Sequence, residues 1–332
     1  MSERDPKTLR LVQFNVENLF LFLDQHTGQD FKKITEAEWQ KFSSSSTQNK
    51  SLKKTVALAK VIDDIAPDIL MLNEVGGIES LENFNRHFLG SKFRVLLKEG
   101  NSNRGIDVGY LIRKELPYRD LLLTHRDRPL HFLYPHESQT PAGGKSHYFS
   151  RDVSELRLFA PDETTPRLVI MLTHLKSKLD SNNIDGEGKK RRAAELKTLV
   201  ELYNEVRSEL GLSVPIVVAG DFNGIASVHG TEPEFAPLYE NTDLTDVLEV
   251  AQKDLTSRCT QVQISPSGKQ YLVQIDYIFV SKELRDRVVK EKTNVYYYKS
   301  DLGHAAPLPR NLEERANLPS DHYPVVTEIN LP

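Results

Sequence analysis

Three observations in the sequence predict a layered fold that mixes strands and helices. Short apolar runs end in polar residues, two amphipathic helical stretches each lead into such a run, and no internal repeat or linker divides the 332 residues. Apolar runs bounded by turn residues suit strands buried on both faces, or sheets packed face to face. Interleaved with helices, they give an α/β or α+β layered architecture. The chain is read as one domain over residues 1–332.

The elements follow in order. Residues 9–16 alternate and form the first strand. Residues 24–50 carry a Ser-rich run at 43–46 and read as a mobile insertion, with one short helix at 36–42. Residues 51–66 place Leu58, Val61, Ile62 and Ile65 on one helical face, and Pro67 stops them. DILMLNEV, 68–75, is a buried strand, and so are 108–112, 168–175 and VPIVVA, 214–219. Residues 125–148 are rich in Pro, Gly and His without periodicity and form a second insertion. Residues 187–210 set Leu196, Leu199, Val200, Tyr203 and Val206 at helical spacing. Shorter strands fall at 277–280 and 325–329.

Composition excludes some classes. Hydrophobic residues at 39% and charged residues at 27% fit a soluble globular protein. No apolar run approaches the roughly 20 residues that span a bilayer, so no stable membrane association is expected. The polar start lacks the pattern of a signal peptide. Cys259 is the lone cysteine, which suits a reducing compartment. A cytoplasmic monomer is the expectation. The formal net charge of −4, from 43 basic and 47 acidic residues, argues against a protein that coats nucleic acid by bulk charge. It leaves room for an enzyme acting on phosphates, which needs carboxylates for a metal and only a local basic rim.

The chemistry lies at the strand ends. FNVEN closes the first run and Asn73-Glu74 the second; THLK closes another and GDFNG follows VPIVVA. Asp276 opens DYIFV, and Ser320-Asp321-His322 precedes PVVTEI. A carboxylate at the end of a buried strand must be paired, metal-bound or protonated. Several converging at one sheet edge make a hard-cation site with oxygen ligands. From the residues alone, Glu74, Asp221, Asp276 and Asp321 are candidates to hold Mg²⁺ or Mn²⁺ and to steer a water. His174 and His322 are candidates to stabilise or protonate a phosphate oxygen, with Lys176 and Arg151 to bind it. Zinc fits poorly, with one cysteine and no His-x-x-x-His pair. Each motif alone also has a plain structural reading, as a turn, a surface ion pair or a hydrogen-bonded core histidine. Their ordered recurrence at strand ends is the signal.

FNVEN, LMLNEV, RGIDVGYLI, THLKSK, GDFNG, IDYIFV and SDHYPV, in that order, resemble the endonuclease/exonuclease/phosphatase superfamily over about residues 9–331. FNVENLF, HLKSK and Arg191-Arg192-Ala193 resemble its bacterial nuclease-like members. The resemblance implies a four-layer sandwich, in which two packed mixed or antiparallel β-sheets are flanked by helices, as in deoxyribonuclease I. It implies Glu74 as principal metal ligand, Asn15 as support for metal and phosphate, and Asp321 as a further ligand. Asp221 and Asn223 would position the attacking water and a phosphate oxygen. Asp276 would orient His322, and Asp107 would partner His174, as a carboxylate does in deoxyribonuclease I. Phe149-Ser150-Arg151 resembles that enzyme's phosphate-binding segment.

The implied reaction is metal-dependent hydrolysis of a phosphodiester, with nucleic acid as substrate. Carboxylates beside the two histidines would raise their pKa values and favour positive charge facing the transition state. Arg104 is a further candidate for phosphate, and Lys176, Lys178 and residues 189–192 form a basic zone, of which 189–192 also read, and read slightly better, as a solvated helix end. Glu17 stands where the superfamily sometimes places a second-metal ligand; the single-metal reading leaves it an ordinary strand-end charge. Two alternatives stand beside the nuclease. One is a phosphohydrolase of a small phosphate ester, inositol phosphate or lipid headgroup. The other is a non-catalytic binding protein, which should have lost residues of this set that are in fact present.

Overall fold

Alternation along one strand shows how the layers stack. In Leu168–His174, Leu168, Ile170 and Leu172 enter one apolar cluster, and Val169 and Met171 enter another. Ile216–Asp221 repeats the pattern, with Val217 and Ala219 on one side and Ile216 and Val218 on the other. These strands are therefore buried on both faces, which explains their unbroken apolar runs. The structure, a computed structural model, describes residues 8–23, 28, 30–138, 145–180, 183–300 and 303–332. Parts of the two expected insertions, 24–27, 29 and 139–144, lie outside the described residues.

The described strands are β1 (Thr8–Leu19), β2 (Ile69–Val75), β3 (Phe93–Leu97), β4 (Asp107–Arg113), β5 (Arg119–Thr124), β6 (Val153–Phe159) and β7 (Leu168–His174). They continue with β8 (Ile216–Asp221), β9 (Thr245–Asp246), β10 (Gln261–Ile264), β11 (Gln270–Val273), β12 (Asp276–Val280), β13 (Asn294–Val295) and β14 (Val325–Asn330). The helices that matter here are α1 (Glu36–Gln40), α2 (Leu52–Ile65), α3 (Gly77–Phe88) and α4 (Lys189–Leu210). One six-stranded sheet runs β13-β14-β1-β2-β4-β3, the other β5-β6-β7-β8-β12-β9, and β10-β11 is a separate hairpin. The pairs β1–β2 and β7–β8 are parallel and the rest antiparallel.

The larger cluster fills the space between the sheets and continues under α2 through Leu58, Ile62 and Ile65. The smaller joins the outer face of the second sheet to Leu196, Leu199 and Tyr203 of α4. Helix, sheet, sheet and helix are the four layers expected. The ends of α2 are written in its sequence: Ser51 caps the start by accepting from Lys54 N, and Ala66 closes it with a positive φ of 51° before Pro67.

Residues 30–50 correct the reading of a mobile excursion. Thr35 and Glu38 form a capping box that starts α1, and Trp39 is fully buried with its ring edge against Phe31 at 5.3 Å. Trp39 Nε1 donates to Lys50 O, and the Asn49 side chain bonds Phe22 N and O. The described part of residues 125–148 also folds back, through the Pro129–Tyr148 bridge and the hydrogen bond from Leu130 N to His147 O.

Register brings the polar strand ends to one place. The parallel strands β1, β2, β7 and β8 finish there, and the antiparallel β4 and β12 begin there. Asn15 lies opposite Asn73, Asp107 opposite Val75, and Asp221 opposite both His174 and Asp276. Close approach of β8 to β7 depends on Gly220, whose φ is +145° and where an added Cβ would fall 1.9 Å from Thr173 O.

Candidate active site

Backbone irregularity aims the first of the expected side chains. The β2–β4 register shifts between Asn73 and Val75, leaving Glu74 as the bulged residue with φ 63°. The β1–β2 register shifts between Asn15 and Leu19, with Glu17 and Asn18 at φ 50° and 53°. Bulges re-aim a side chain, and left-handed non-glycine residues concentrate at functional positions. The carboxylate of Glu74 accepts from Asn18 N at 3.1 Å through one oxygen, which leaves the other for a ligand. Arg104 Nη2 donates to Asn18 Oδ1 at 2.6 Å, so this exposed guanidinium sits on the same rim.

Amides tie the two sheets together beneath this rim. Asn15 Nδ2 donates to Asp221 Oδ2 at 3.0 Å. Gln13 Nε2 donates to Asn73 Oδ1 at 2.8 Å and to Asp276 Oδ1 at 3.1 Å, and Asn73 Nδ2 donates to Thr173 O at 2.8 Å. All are buried, where such hydrogen bonds fix geometry strongly, although Gln13 Oε1 has no partner. Gln13 and Asn73 were not among the expected site residues. Their signal was available, since Gln13 and Asn15 share one strand face by the two-residue period.

The centre is a carboxylate–histidine group. Asp221, Asp276 and His322, all buried, bring one ligand atom each within 4.8 Å of one another. His322 Nδ1 lies 2.8 Å from Asp276 Oδ2, as expected, and its Nε2 lies 4.0 Å from Asp221 Oδ2 and 3.8 Å from Asp321 Oδ1. Burial opposes a charge on His322, but Asp276, Asp321 and Asp221 outweigh it and raise its pKa well above the usual imidazole value. Burial, then the nearby Asp276, pushes Asp221 up to about 7, against the pull of His322, Asn223 N and Asn15. Asn223, at φ 53°, caps this carboxylate through its backbone N–H at 2.8 Å and donates through Nδ2 to Leu175 O. Asp276 is itself held by Thr260 Oγ1, which accepts from its backbone N at 3.1 Å. Gln261 Nε2 lies 2.8 Å from His322 Nε2, a contact no sequence motif marked; it is a hydrogen bond only while that ring nitrogen is unprotonated, so charging His322 breaks it or turns the amide over.

His174 departs from expectation. Its Nε2 is 3.6 Å from Asp221 Oδ2, so it joins the group, but its Nδ1 has no hydrogen-bond partner. Asp107 does not pair with it. Asp107 instead accepts from Gly100 N at 2.7 Å, and burial raises its own pKa. The His174 pKa is lowered, not raised: burial, then Arg151, His322 and Arg104, push it well below the usual value. With no carboxylate on Nδ1 and two arginines in its field, desolvation prevails.

The basic residues divide. Arg151 is buried, with Nη1 near Ser150 Oγ and Leu175 O, and its pKa is lowered chiefly by burial while Glu195, Glu74 and Asp221 oppose the shift. It therefore lies in the field of the site. Lys176 does not offer a free ammonium: its Nζ donates to Ser177 O at 3.0 Å and Leu179 O at 2.6 Å. Residues 189–192 form a solvated helix end, with Lys189 and Lys190 exposed, rather than a continuous basic zone. Arg192 is fully buried against Glu234, Lys189 pairs with Glu187, Arg191 with Glu195 and Tyr148 O, and Lys178 with Glu232. Glu195, also missed from sequence, accepts from Ser150 N at 2.8 Å and Lys176 N at 2.6 Å, and so seats both segments that flank Arg151.

The expected metal ligands Glu74, Asn15 and Asp321 offer oxygen atoms only, the donor chemistry of a hard divalent cation. The Asp221–Asp276–His322 group is a poorer seat for a hard cation, because Asp276 already has one oxygen on Gln13 Nε2 and the other on His322 Nδ1, and the histidine would bring nitrogen rather than oxygen.

Residues 12–322 match the Endonuclease/Exonuclease/phosphatase family, and the chain belongs to it. It is a hydrolase acting on phosphoester bonds. Solved structures agree on the fold. Danio rerio TDP2 complexed with a single-strand DNA product superposes with a TM-score of 0.56 at 15% identity, over 97% of this chain and 99% of that one. The human nocturnin catalytic domain with bound sulfate gives 0.55 at 17%, over 98% and 95%. An endonuclease/exonuclease/phosphatase family protein from Bacteroides thetaiotaomicron gives 0.54 at 17%, over 97% and 94%. No curated protein matches the sequence. Among the described residues no helix is long and apolar enough to cross a membrane.

Proposed function

We propose that this protein is a nuclease that hydrolyses phosphodiester bonds of DNA or RNA by in-line attack of water, with Mg²⁺ or Mn²⁺ as cofactor. The buried His322–Asp276 pair, set beside Asp221 where both sheets end, carries this reading. Glu74 and Asp321, with Asn15, would hold the ion, which when bound offsets the negative charge of the phosphate. His322, held positive by three carboxylates, donates from Nε2 to a non-bridging oxygen as negative charge builds there. To do so it exchanges the Gln261 amide for the substrate. Asp221, whose raised pKa suits a proton acceptor near neutrality, orients the water and takes its proton. Asn223 binds a phosphate oxygen. His174, neutral and with Nδ1 unengaged, supplies a further hydrogen bond. Arg151 and Arg104 add positive charge, Asp107 fixes the Gly100 turn at the rim, and Lys176 contributes through its backbone rather than its ammonium.

Each sheet supplies part of the centre, so residues 1–332 work as one catalytic unit. We read it as a cytoplasmic monomer, in keeping with the buried free thiol of Cys259. Nucleic acid is favoured over small esters because the D. rerio neighbour is complexed with a single-strand DNA product.

The test is hydrolysis of single-stranded DNA, supercoiled DNA, RNA, bis-p-nitrophenyl phosphate and inositol phosphates, with Mg²⁺, Mn²⁺ or EDTA. Metal-dependent cleavage of nucleic acid, lost in Asp221→Ala, is expected. Cleavage of the small esters alone would move the substrate class, and inactivity on the whole panel would refute the reading.

A further inference from the structure

A lysine buried beside an active site needs a reason, because a desolvated ammonium is costly unless paired. The Lys50 side chain is only 4% exposed. Its Nζ donates to Glu17 O at 2.7 Å and lies 3.4 Å from Glu17 Oε2. Lys54 Nζ meets the same Oε2 at 2.6 Å. Burial, with the like charge of Lys54, lowers the Lys50 pKa to about 8 against the pull of Glu17. Glu17 itself is tied to the centre: its backbone N donates to Asn15 Oδ1 at 3.0 Å, and Asn15 bonds Asp221. Its neighbour Asn18 bonds Glu74.

The chain goes to some length to place Lys50. Lys50 N donates to Phe20 O at 2.8 Å, and its carbonyl accepts from Trp39 Nε1 at 2.9 Å and from Thr55 Oγ1 at 3.3 Å. Asn49 clamps Phe22 on one side, and Ser51 caps α2 on the other, which sets Lys54 in the first turn. The buried Trp39 of α1 thus seats a cation rather than supporting a mobile excursion.

We propose that Lys50 and Lys54 take the place of a second divalent cation at Glu17, so that this centre binds one ion. The proposal rests on the metal-dependent reading above and adds a positioning role for two lysines. They neutralise a strand-end carboxylate that would otherwise draw another ion.

The experiment is titration of the full chain with Mn²⁺, reading free ion by electron paramagnetic resonance. The wild type is expected to bind one Mn²⁺ per chain and the Lys50→Met/Lys54→Met double variant two. Two ions in the wild type, or one in the folded double variant, would overturn the proposal. No ion in the wild type would overturn both it and the metal-dependent reading. If the double variant does not fold, Glu17→Gln decides: Mn²⁺ affinity within about threefold of wild type supports the proposal, and a loss beyond that shows Glu17 to be a ligand.

Discussion

Replacing Asp276 with Asn separates charge from shape. Asp276 is completely buried; it accepts from Gln13 Nε2 at 3.1 Å and meets His322 Nδ1 at 2.8 Å. An amide of the same size keeps an oxygen for Gln13, so the inter-sheet bond survives. It cannot hold an imidazolium. At an effective dielectric constant of about 20, two unit charges at the separation of this pair attract by about 6 kcal/mol, and Asp276 is the strongest of the groups that hold the ring protonated against burial. The carboxylates that remain near Nε2 are farther, at 3.8 and 4.0 Å, and burial still opposes charge. His322 should therefore be charged at pH 7 in the wild type and neutral in Asp276→Asn. If its charge is what the transition state uses, kcat should fall by about 10²–10⁴. The assays are steady-state hydrolysis of bis-p-nitrophenyl phosphate, ¹⁵N NMR of the His322 ring, and a thermal melt to establish that the variant is folded. A rate within threefold of wild type, or an imidazolium that persists in the folded variant, would refute the reasoning.

Four other outcomes are expected. Asp152 is buried, and its pKa is raised by burial to about 7, against hydrogen bonds from Thr124 Oγ1 and His125 N. A raised folded pKa gives stability that is complete below the unfolded value of about 4 and is lost as pH rises through the folded value. The wild-type urea midpoint should therefore fall from pH 5 to pH 8 more than that of Asp152→Asn, and parallel profiles would count against the assignment. Gly220→Ala forces a Cβ to 1.9 Å from Thr173 O at an unfavourable φ, so it should destabilise by at least about 3 kcal/mol in urea melts; a loss under about 1 kcal/mol would contradict the contact. Glu195→Gln replaces one of two carboxylate acceptors for Ser150 N and Lys176 N by a donor, which should cost about 1–3 kcal/mol and raise KM more than it lowers kcat. With Arg104, Arg151 and the charged His322 as the cations left to meet phosphate, the slope of log K against log salt for a single-stranded oligonucleotide should be about −2.1. A slope beyond about −3, read by fluorescence anisotropy, would require a basic surface elsewhere.

The strands that could be read from sequence are those with both faces buried. β2, β7 and β8 are apolar at consecutive positions because one set of side chains faces the other sheet and the next faces helices. β3 and β5 are edge strands, mostly half-buried, and their mixed composition hid them. β6 is buried but carries Glu155 and Arg157, which ion pairs with His125 and Glu209 make tolerable and which no periodicity announces. α3 begins at Gly77 just after β2 and resembles a turn until its amphipathic face is packed. The same distinction holds at the site. Strand-end carboxylates and histidines were legible, because few other roles suit them there. Their partners were not, because a hydrogen bond across two sheets depends on register and bulges that sequence does not display. Hence Asp276–His322 was anticipated and Asp276–Gln13 was not, and Asp107 was assigned to His174 although the chain turns it to Gly100 N.

The two histidines show why that last difference matters. Both are buried at the ends of strands, within 4 Å of the same Asp221 oxygen, yet their environments drive them in opposite directions. His322 has a carboxylate on Nδ1 and two more near Nε2; His174 has no partner on Nδ1 and two arginines in its field. Pairs of groups whose pKa values are pushed apart are the usual mark of divided acid and base roles. Two imidazolium ions here would repel each other and would both lower the basicity of Asp221, the group proposed to take the proton of water. One charged and one neutral ring avoids this conflict. On the proposed reading, His322 supplies the positive charge for the transition state, while His174 binds substrate through a neutral hydrogen bond and leaves Asp221 near neutrality. A carboxylate on His174 Nδ1 would undo this division, so the turn of Asp107 toward Gly100 serves the chemistry as well as the loop.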